Sequence, residues 1–176
     1  MKNNFYFKEP FSNIYKLPNI YSEVTSQILY GERFKILSKR NGWIKIKSLY
    51  DRYSGFIKNK NYVNELKISH KVSNIQANIF KKPNVKTKKT IYFGSKLSVI
   101  EQRNGFVRFE KNRWVKLKDI KKITHKEKNF VKIFKLFLKT KYVWGGKTNK
   151  GIDCSALLQI FFYYNNLFYP RDTKDQ

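Results

Sequence analysis

The chain has 176 residues, which is enough for one ordinary domain or for two to three small ones. Its residues are 41% hydrophobic and 17% aromatic, and this composition excludes a disordered polymer because it supplies enough apolar surface for packed cores. The net charge is +26, from 38 basic and 12 acidic residues, and the single cysteine excludes an internal disulfide.

The positive charge has two interpretations. Such an excess favours anionic partners, namely nucleic acid, anionic cell-wall polymers or membrane headgroups. Alternatively, it reflects composition, because Lys, Asn, Ile, Tyr and Phe are all abundant and the lysines are scattered along the chain. We favour the compositional interpretation, so nucleic acid is an unlikely partner.

The first residues do not have the pattern of a signal peptide. No apolar stretch of signal-peptide length follows Lys2, and no run approaches the about 18 apolar residues that a membrane span requires. We therefore expect a cytoplasmic protein with no membrane span, unless it is exported by another route.

Residues 11–66 alternate in polarity at the period of β-strands rather than helices. A first strand is predicted from Ile14 to Pro18, and Arg40-Asn41-Gly42 predicts a tight hairpin because Asn-Gly tolerates positive φ. The next strand places Ile44 and Ile46 on one face. Several short strands separated by turns predict a small barrel.

The same pattern recurs 63 residues later. Tyr30-Gly31 is matched by Phe93-Gly94, Arg40-Asn41-Gly42 by Arg103-Asn104-Gly105, and Ile44 with Ile46 by Val107 with Phe109. The period predicts a tandem duplication of a small domain rather than a short-period solenoid. Because a domain of about 60 residues buries only about 60% of its unfolded surface, we expect it to pack against its neighbours.

A short linker is predicted at residues 117–124, followed by a helix. Thr124 and Glu127 have the spacing of a capping box, which would place His125 in the first helical turn. Apolar residues from Phe130 to Leu138 then recur at helical spacing, and the helix is predicted to end around Lys139.

The single cysteine, Cys154, follows a glycine-rich approach and precedes a dense apolar run at residues 157–164. Asp153 is a good N-cap, so Cys154 falls at the first position of a helix predicted to be buried on most sides. The N–H groups there favour a thiolate and could hold an oxyanion. The alternative is that Cys154 is an inert buried side chain, which is the commoner role of a lone cysteine.

Three blocks of sequence carry a family resemblance. Residues 142–146 read aromatic-x-Trp-Gly-Gly, residues 151–155 read Gly-x-Asp-Cys-Ser, and residues 170–176 read Pro-Arg-x-Thr-x-x-Gln. The chain therefore resembles the NlpC/P60 cell-wall cysteine peptidases. The resemblance implies an α+β multidomain protein. Two small SH3-like β-barrels, at residues 1–66 and 67–122, would precede an incomplete papain-like domain at residues 123–176.

The resemblance also assigns roles to site residues. Cys154 would be the nucleophile, and Asp153 with Ser155 would hold the free amine of an N-terminal L-alanine in a peptidoglycan stem peptide. Tyr142 would line the site and support the oxyanion, and Trp144 would shape the cleft. The structural alternatives are helix capping for Asp153 and packing for Tyr142. No cofactor and no metal are implied, and the expected partners are stem peptides or their recycled fragments.

A peptidase of this kind needs a histidine base, which in the family follows the Pro-Arg segment. The sequence contains only His70 and His125, and neither stands in the family's Gly-His context. We expect both to be surface residues. The hypothesis is a truncated or split product, inactive alone, with a complementing polypeptide carrying the missing histidine segment.

Three functions remain open at this point. The first is a cysteine peptidase of the γ-D-glutamyl–diamino-acid endopeptidase class, as the resemblance implies. The second is a non-catalytic SH3-like module that binds cell-wall peptide. The third, suggested by charge alone, is a basic nucleic-acid-binding protein.

Overall fold

The computed structural model describes residues 4–176. The chain is mostly β, with two α-helices, and its strands form sheets of seven, five, three and two strands. No helix within residues 4–176 is long and apolar enough to cross a bilayer.

Seven strands, all paired antiparallel, form the first unit. Their ranges are β1 (Asn4–Phe7), β2 (Phe11–Tyr15), β3 (Val24–Leu29), β4 (Arg33–Arg40), β5 (Trp43–Ser48), β6 (Ser54–Lys58) and β7 (Tyr62–Val63). Along the sheet the order is β3-β2-β6-β5-β4-β1-β7. Within the described chain, the end strands β3 and β7 do not pair with each other, so the predicted barrel closure is not confirmed.

The turn chemistry of the first unit was predicted correctly. Asn41 and Gly42 adopt φ angles of 48° and 74° between β4 and β5, as the Asn-Gly hairpin requires. Ile44 and Ile46 lie together in the core of this unit. The first predicted strand was misplaced, since β2 ends at Tyr15, and β1 was not predicted.

The second unit contains eight strands. Their ranges are β8 (His70–Val72), β9 (Gln76–Lys82), β10 (Val85–Tyr92), β11 (Lys96–Leu97), β12 (Glu101–Arg103), β13 (Phe106–Glu110), β14 (Arg113–Lys116) and β15 (Ile120–Lys122). They form a sheet in the order β10-β9-β14-β13-β12 and a second in the order β11-β8-β15. The predicted linker at residues 117–124 is wrong, because it contains a 3-10 turn (Leu117–Asp119) and β15, which pairs with β8.

The internal repeat is visible in the backbone. Gly31 and Gly94 adopt φ angles of 77° and 80°, and the Asn104-Gly105 turn reproduces the first hairpin with φ angles of 48° and 75°. Val107 and Phe109 are buried in the second unit, as Ile44 and Ile46 are in the first. The matched positions therefore form the same turns and supply core side chains in both units.

Three of the hydrophobic cores each receive one of three consecutive residues, Ile28 to Tyr30. Ile28 lies in the core of the first unit, Leu29 in the core around the two helices, and Tyr30 in the core of the second unit. The Tyr30 hydroxyl donates to Glu110 Oε1 at 2.7 Å, and the Lys96 amide donates to the Tyr30 carbonyl at 3.0 Å. The expectation that the small units pack against their neighbours is confirmed.

The C-terminal part holds both helices. Its elements are α1 (Phe130–Leu136), β16 (Lys147–Thr148), β17 (Gly151–Ile152), α2 (Cys154–Tyr164) and a final 3-10 turn (Thr173–Asp175). The predicted start of α1 is wrong, since Asn129 is the N-cap and its side chain accepts from the Val131 amide at 3.0 Å. His125 therefore precedes the helix, and α1 also ends earlier than predicted.

Helix α2 begins as predicted. Asp153 caps it, and Asn166 follows its end with a φ angle of 55°. One side of the helix packs in the core through Ala156 and Ile160, whereas Leu158 is 41% exposed. Six of its eleven residues are buried, three are partly buried and two are exposed, so the prediction of a helix buried on most sides is confirmed.

Candidate active site

Cys154 is exposed at the first position of α2. The Asp153 side chain accepts a hydrogen bond from the Ala156 amide at 2.8 Å, which fixes the start of the helix one residue before the sulfur. The hairpin of β16 and β17, in which Lys147 pairs with Ile152, directly precedes Asp153 and Cys154. Local sequence thus places the only thiol at a helix N-terminus and in contact with solvent.

Arg171 holds the N-cap residue Asp153 in place by binding its carboxylate. Its guanidinium makes a two-pronged ion pair with Asp153, with Nη2 at 2.5 Å from Oδ2 and Nη1 at 3.1 Å from Oδ1. Nη1 also donates to Ser155 Oγ at 2.6 Å, and Nε donates to Ser26 Oγ at 3.0 Å. All four side chains are buried, so a paired and hydrogen-bonded arrangement is required for the charges to be tolerated there.

Strand β3 of the first unit forms the wall behind the loop that leads to Cys154. The Gln27 side chain accepts from the Lys147 amide at 2.8 Å. Gly145 has a φ of 73°, and a Cβ on it would lie 2.3 Å from the Val24 carbonyl oxygen, so only glycine fits this approach. The first unit therefore forms part of the site around Cys154.

A buried ion pair adds to this wall. Lys147 Nζ lies 3.0 Å from Glu32 Oε1, and both side chains are at most 3% exposed. Burial raises the pKa of Glu32, while the Lys147 cation acts in the opposite direction. Lys147 also lies over the ring of Tyr163 on α2, at 4.8 Å from its centroid. This single lysine connects the first unit, the hairpin and the helix.

A cleft of about 620 Å³ opens in front of the cysteine. Residues of the first unit form one side, among them Glu23 and Tyr53, and Cys154 with its neighbours forms the other. Glu23 Oε1 accepts from the Trp144 indole at 2.9 Å, and Lys16 lies 3.3 Å from Oε2. The hydrogen bond from Trp144, then the hydrogen bond and charge of Lys16, lower the pKa of Glu23, so it is anionic at neutral pH.

The amides at the start of α2 are available to a ligand. The Asp153 carboxylate already accepts from Ala156 and from the Gly145 amide at 2.9 Å, in addition to Arg171. Within the described chain, the amides of Cys154 and Ser155 have no such acceptor, as expected for the first residues of a helix. An oxyanion forming beside the sulfur could accept from them.

The structure brings together four of the five residues singled out in the sequence. Cys154, Asp153, Ser155 and Trp144 line the cleft. Tyr142 does not line it: its backbone bridges to Ile152, and its side chain is 63% exposed.

Several cleft and wall residues were not found from the sequence. Glu23, Tyr53, Ser26 and Gln27 belong to the first unit and lie far from Cys154 in the chain. No motif or spacing marks them, because only the packing of the two parts brings them there.

Neither histidine reaches the cysteine. His125 packs against Tyr164 with ring centroids 6.3 Å apart, at the opposite end of α2 from Cys154. Ten helical residues separate the two ends, a distance of about 15 Å. His70 lies on β8 in the second unit and contacts Ser69 Oγ at 2.9 Å. The described chain therefore presents an exposed thiol with no imidazole beside it.

Comparisons with known proteins agree with this architecture. The sequence model of the bacterial dipeptidyl-peptidase SH3 domain matches residues 14–61, and that of the NlpC/P60 family matches residues 139–176. The fold is similar to an NlpC/P60 family protein from Bacillus cereus, with a TM-score of 0.81, 14% identity, and coverage of 98% of this chain and 76% of that one. An NlpC/P60 endopeptidase from Photobacterium damselae subsp. piscicida gives a TM-score of 0.74 at 17% identity, with 99% and 45% coverage. These matches together support an NlpC/P60 family protein with an SH3-like domain in its N-terminal part.

Two curated relatives carry peptidase names. Dipeptidyl-peptidase 6 of Lysinibacillus sphaericus is 25% identical over 191 residues, which cover 93% of this chain and 70% of the relative. The gamma-D-glutamyl-L-lysine dipeptidyl-peptidase of Bacillus subtilis is 24% identical over 170 residues, covering 87% of this chain and 57% of the relative. The chain thus spans part of each relative, and these names support a peptidase family.

Proposed function

We propose that this chain carries the nucleophile of a cysteine peptidase that acts on peptidoglycan stem peptides, of the γ-D-glutamyl–diamino-acid endopeptidase class. One observation carries the proposal: the single thiol is exposed at the start of a capped helix and faces a cleft of about 620 Å³. The name of the Bacillus subtilis relative supports the substrate class.

In the proposed reaction, the Cys154 sulfur attacks the peptide carbonyl carbon and forms a tetrahedral intermediate. The developing oxyanion accepts hydrogen bonds from the amides of Cys154 and Ser155. The sulfur's proton must go to a base and then to the leaving amine, and no histidine of this chain is positioned for that step. We therefore propose that the chain is inactive alone and that a polypeptide with a histidine segment completes it.

We propose that the free amine of the substrate binds between Glu23 and the Asp153–Ser155 edge of the cleft. Arg171 offsets the Asp153 charge, so Asp153 alone is a poor partner for an ammonium group. Glu23 supplies the additional negative charge. Its ion-pair partner Lys16 is exposed, and such surface pairs are weak enough for an incoming ammonium group to replace the lysine. Tyr142 stays a prediction.

The proposed domain arrangement is an SH3-like unit at residues 1–66, a second at 67–122, and part of a papain-like domain at 123–176. The shared turn and core positions of the two units support the second assignment. In this arrangement the first unit contributes one side of the cleft, in addition to any binding role of its own.

Chemical rescue tests the function directly. The full chain is incubated with the tripeptide L-Ala-γ-D-Glu-L-Lys, with and without added imidazole as a substitute base, and release of lysine is measured. We expect no release without imidazole, and release with it that disappears in Cys154→Ser. Equal release by wild type and Cys154→Ser would rule out Cys154 as the nucleophile.

The lack of a nearby histidine also favours a second candidate, a module that binds stem peptide without cleaving it. The same tripeptide distinguishes the two. Binding that requires Glu23, without Cys154-dependent release under any imidazole concentration, would support the binding module over the peptidase.

A further inference from the structure

The second unit carries a groove of about 800 Å³, bounded by β8, β15, the 3-10 turn at Leu117–Asp119 and the turn between β12 and β13. It shares no lining residue with the Cys154 cleft. The side chains that matter for its chemistry are His70, Phe106, Lys116, Lys118, Lys121 and Lys122.

The groove is positively charged, and no acidic side chain of the described chain neutralises its lysines. No carboxylate lines it, and none of its four lysines forms an ion pair with an acidic residue of the described chain. The acidic residues of the adjoining elements are engaged elsewhere: Asp119 accepts from Asn74 at 2.6 Å, and Glu101 pairs with Arg108 at 2.9 Å. A concave surface lined by one sign of charge concentrates anions.

Strand pairing fixes the basic side chains in place. In the register of β15 with β8, Lys122 lies opposite His70 and Lys121 opposite Lys71. Burial, and then the charge of Lys122, lower the pKa of His70. Lys122 therefore lies beside His70, close enough for the imidazole to sense its charge, while Lys116 on β14 and Lys118 in the 3-10 turn lie on neighbouring elements that also line the groove.

The groove chemistry discriminates among polyanions. Its cations are lysines, which act as point charges, and no arginine fork lines it. It contains no tyrosine or tryptophan, and its phenylalanine, Phe106, is only 5% exposed, so His70 is the one ring in it on which a nucleic-acid base could stack. We propose that this groove binds a linear phosphodiester polymer without bases, that is, a polyol-phosphate polymer of the cell wall.

The test measures binding of the full chain to a fluorescent poly(glycerol phosphate) oligomer over a range of salt concentrations. The groove variant is Lys118→Gln/Lys121→Gln/Lys122→Gln. The matched control, Lys86→Gln/Lys88→Gln/Lys89→Gln, removes the same charge from exposed lysines of β10 outside the groove. We expect the groove variant to weaken binding at least tenfold and to reduce the slope of log affinity against log salt by about 2, at about 0.7 per phosphate contact.

Histidine NMR provides the second readout, since His70 and His125 are the only histidines in the chain. A bound phosphodiester beside Lys122 should offset its charge and raise the pKa of His70. An unchanged urea denaturation midpoint of each free variant confirms that it remains folded.

Four outcomes would overturn the proposal. The first is no measurable binding of poly(glycerol phosphate) at low salt. The second is an equal loss in the groove and control variants, which would mean that diffuse surface charge binds the polymer. The third is an equal or tighter affinity for oligothymidine, which would identify the partner as nucleic acid. The fourth is binding that leaves the His70 titration unchanged.

Discussion

Replacing Lys147 with methionine should destabilise the chain by about 3–5 kcal/mol near neutral pH, the usual cost of removing one partner of a buried ion pair. Lys147 and Glu32 lie 3.0 Å apart and are almost fully buried. Methionine has a similar length and fills the space, so the expected loss is electrostatic rather than a cavity. The uncompensated Glu32 carboxylate is the source of the cost.

The cost should depend on pH, with a definite sign. Burial already raises the pKa of Glu32, and Lys147 counteracts the rise. Without Lys147 the folded-state pKa of Glu32 moves further above its unfolded value. Folded Glu32 then keeps its proton at mildly acidic pH, and stability is lost as pH rises through the folded pKa. The destabilisation of Lys147→Met should therefore grow as pH rises above the ordinary pKa of a glutamate, by at most about 1.4 kcal/mol per pH unit, and level off once the folded carboxyl is ionised.

Urea denaturation followed by tryptophan fluorescence at several pH values measures this effect. Lys132→Met is the matched control, because Lys132 pairs with Glu127 at 3.6 Å but is 68% exposed, and its removal should cost at most about 1 kcal/mol. The double variant Lys147→Met/Glu32→Leu should recover most of the loss. A cost for Lys147→Met that is equal at acidic and alkaline pH, or a double variant no better than the single, would refute the reasoning.

Three further changes have expected outcomes in the same denaturation assay. Gly145→Ala should cost more than the about 1–2 kcal/mol of a left-handed alanine, because its Cβ would also meet the Val24 carbonyl oxygen. Tyr30→Phe should cost about 1–3 kcal/mol, because the buried hydrogen bond to Glu110 is lost. Burial and two neighbouring lysines lower the pKa of Lys71 from 10.5 to about 8, so the unfolded chain binds the extra proton between those values. Wild-type stability should therefore increase relative to Lys71→Met as pH rises through that window.

Each of these changes has a control or an outcome that contradicts it. Gly42→Ala has the same left-handed backbone as Gly145 but no atom within 4 Å, so equal costs at both glycines would deny the close approach to β3. Tyr62→Phe removes an exposed contact with Lys39 and should cost less than Tyr30→Phe. A stability difference between wild type and Lys71→Met that stays constant with pH would show that Lys71 has an ordinary pKa when folded.

Local signals in the sequence predicted the features that depend on neighbouring residues. Asn41-Gly42 formed its turn, and Asp153 capped α2, because each depends on the conformation of two to four residues. The capping box at Thr124 failed for a tertiary reason. The Asn165 side chain accepts from the Glu127 amide at 2.9 Å and donates to the Glu127 carbonyl at 3.1 Å. This holds Glu127 against the end of α2 in a non-helical conformation.

The candidate site likewise contains residues that local sequence predicted and residues that only tertiary packing brings in. Cys154 and its neighbours on α2 were found because one short segment carries them all. Glu23, Ser26 and Gln27 were not found, because their role arises only when β3 packs against the cysteine loop. Sequence patterns within one element cannot register a contact between residues more than a hundred positions apart.

The protein cannot easily be divided into separately folded fragments near Ile28, Leu29 and Tyr30. Since each of these adjacent side chains fills a different core, a cut or exchange anywhere along β3 exposes apolar surface in three places at once. Stable fragments should therefore be absent from limited proteolysis. Transplanting the N-terminal unit from a distant homologue should succeed only when these three side chains travel together with the surfaces that receive them.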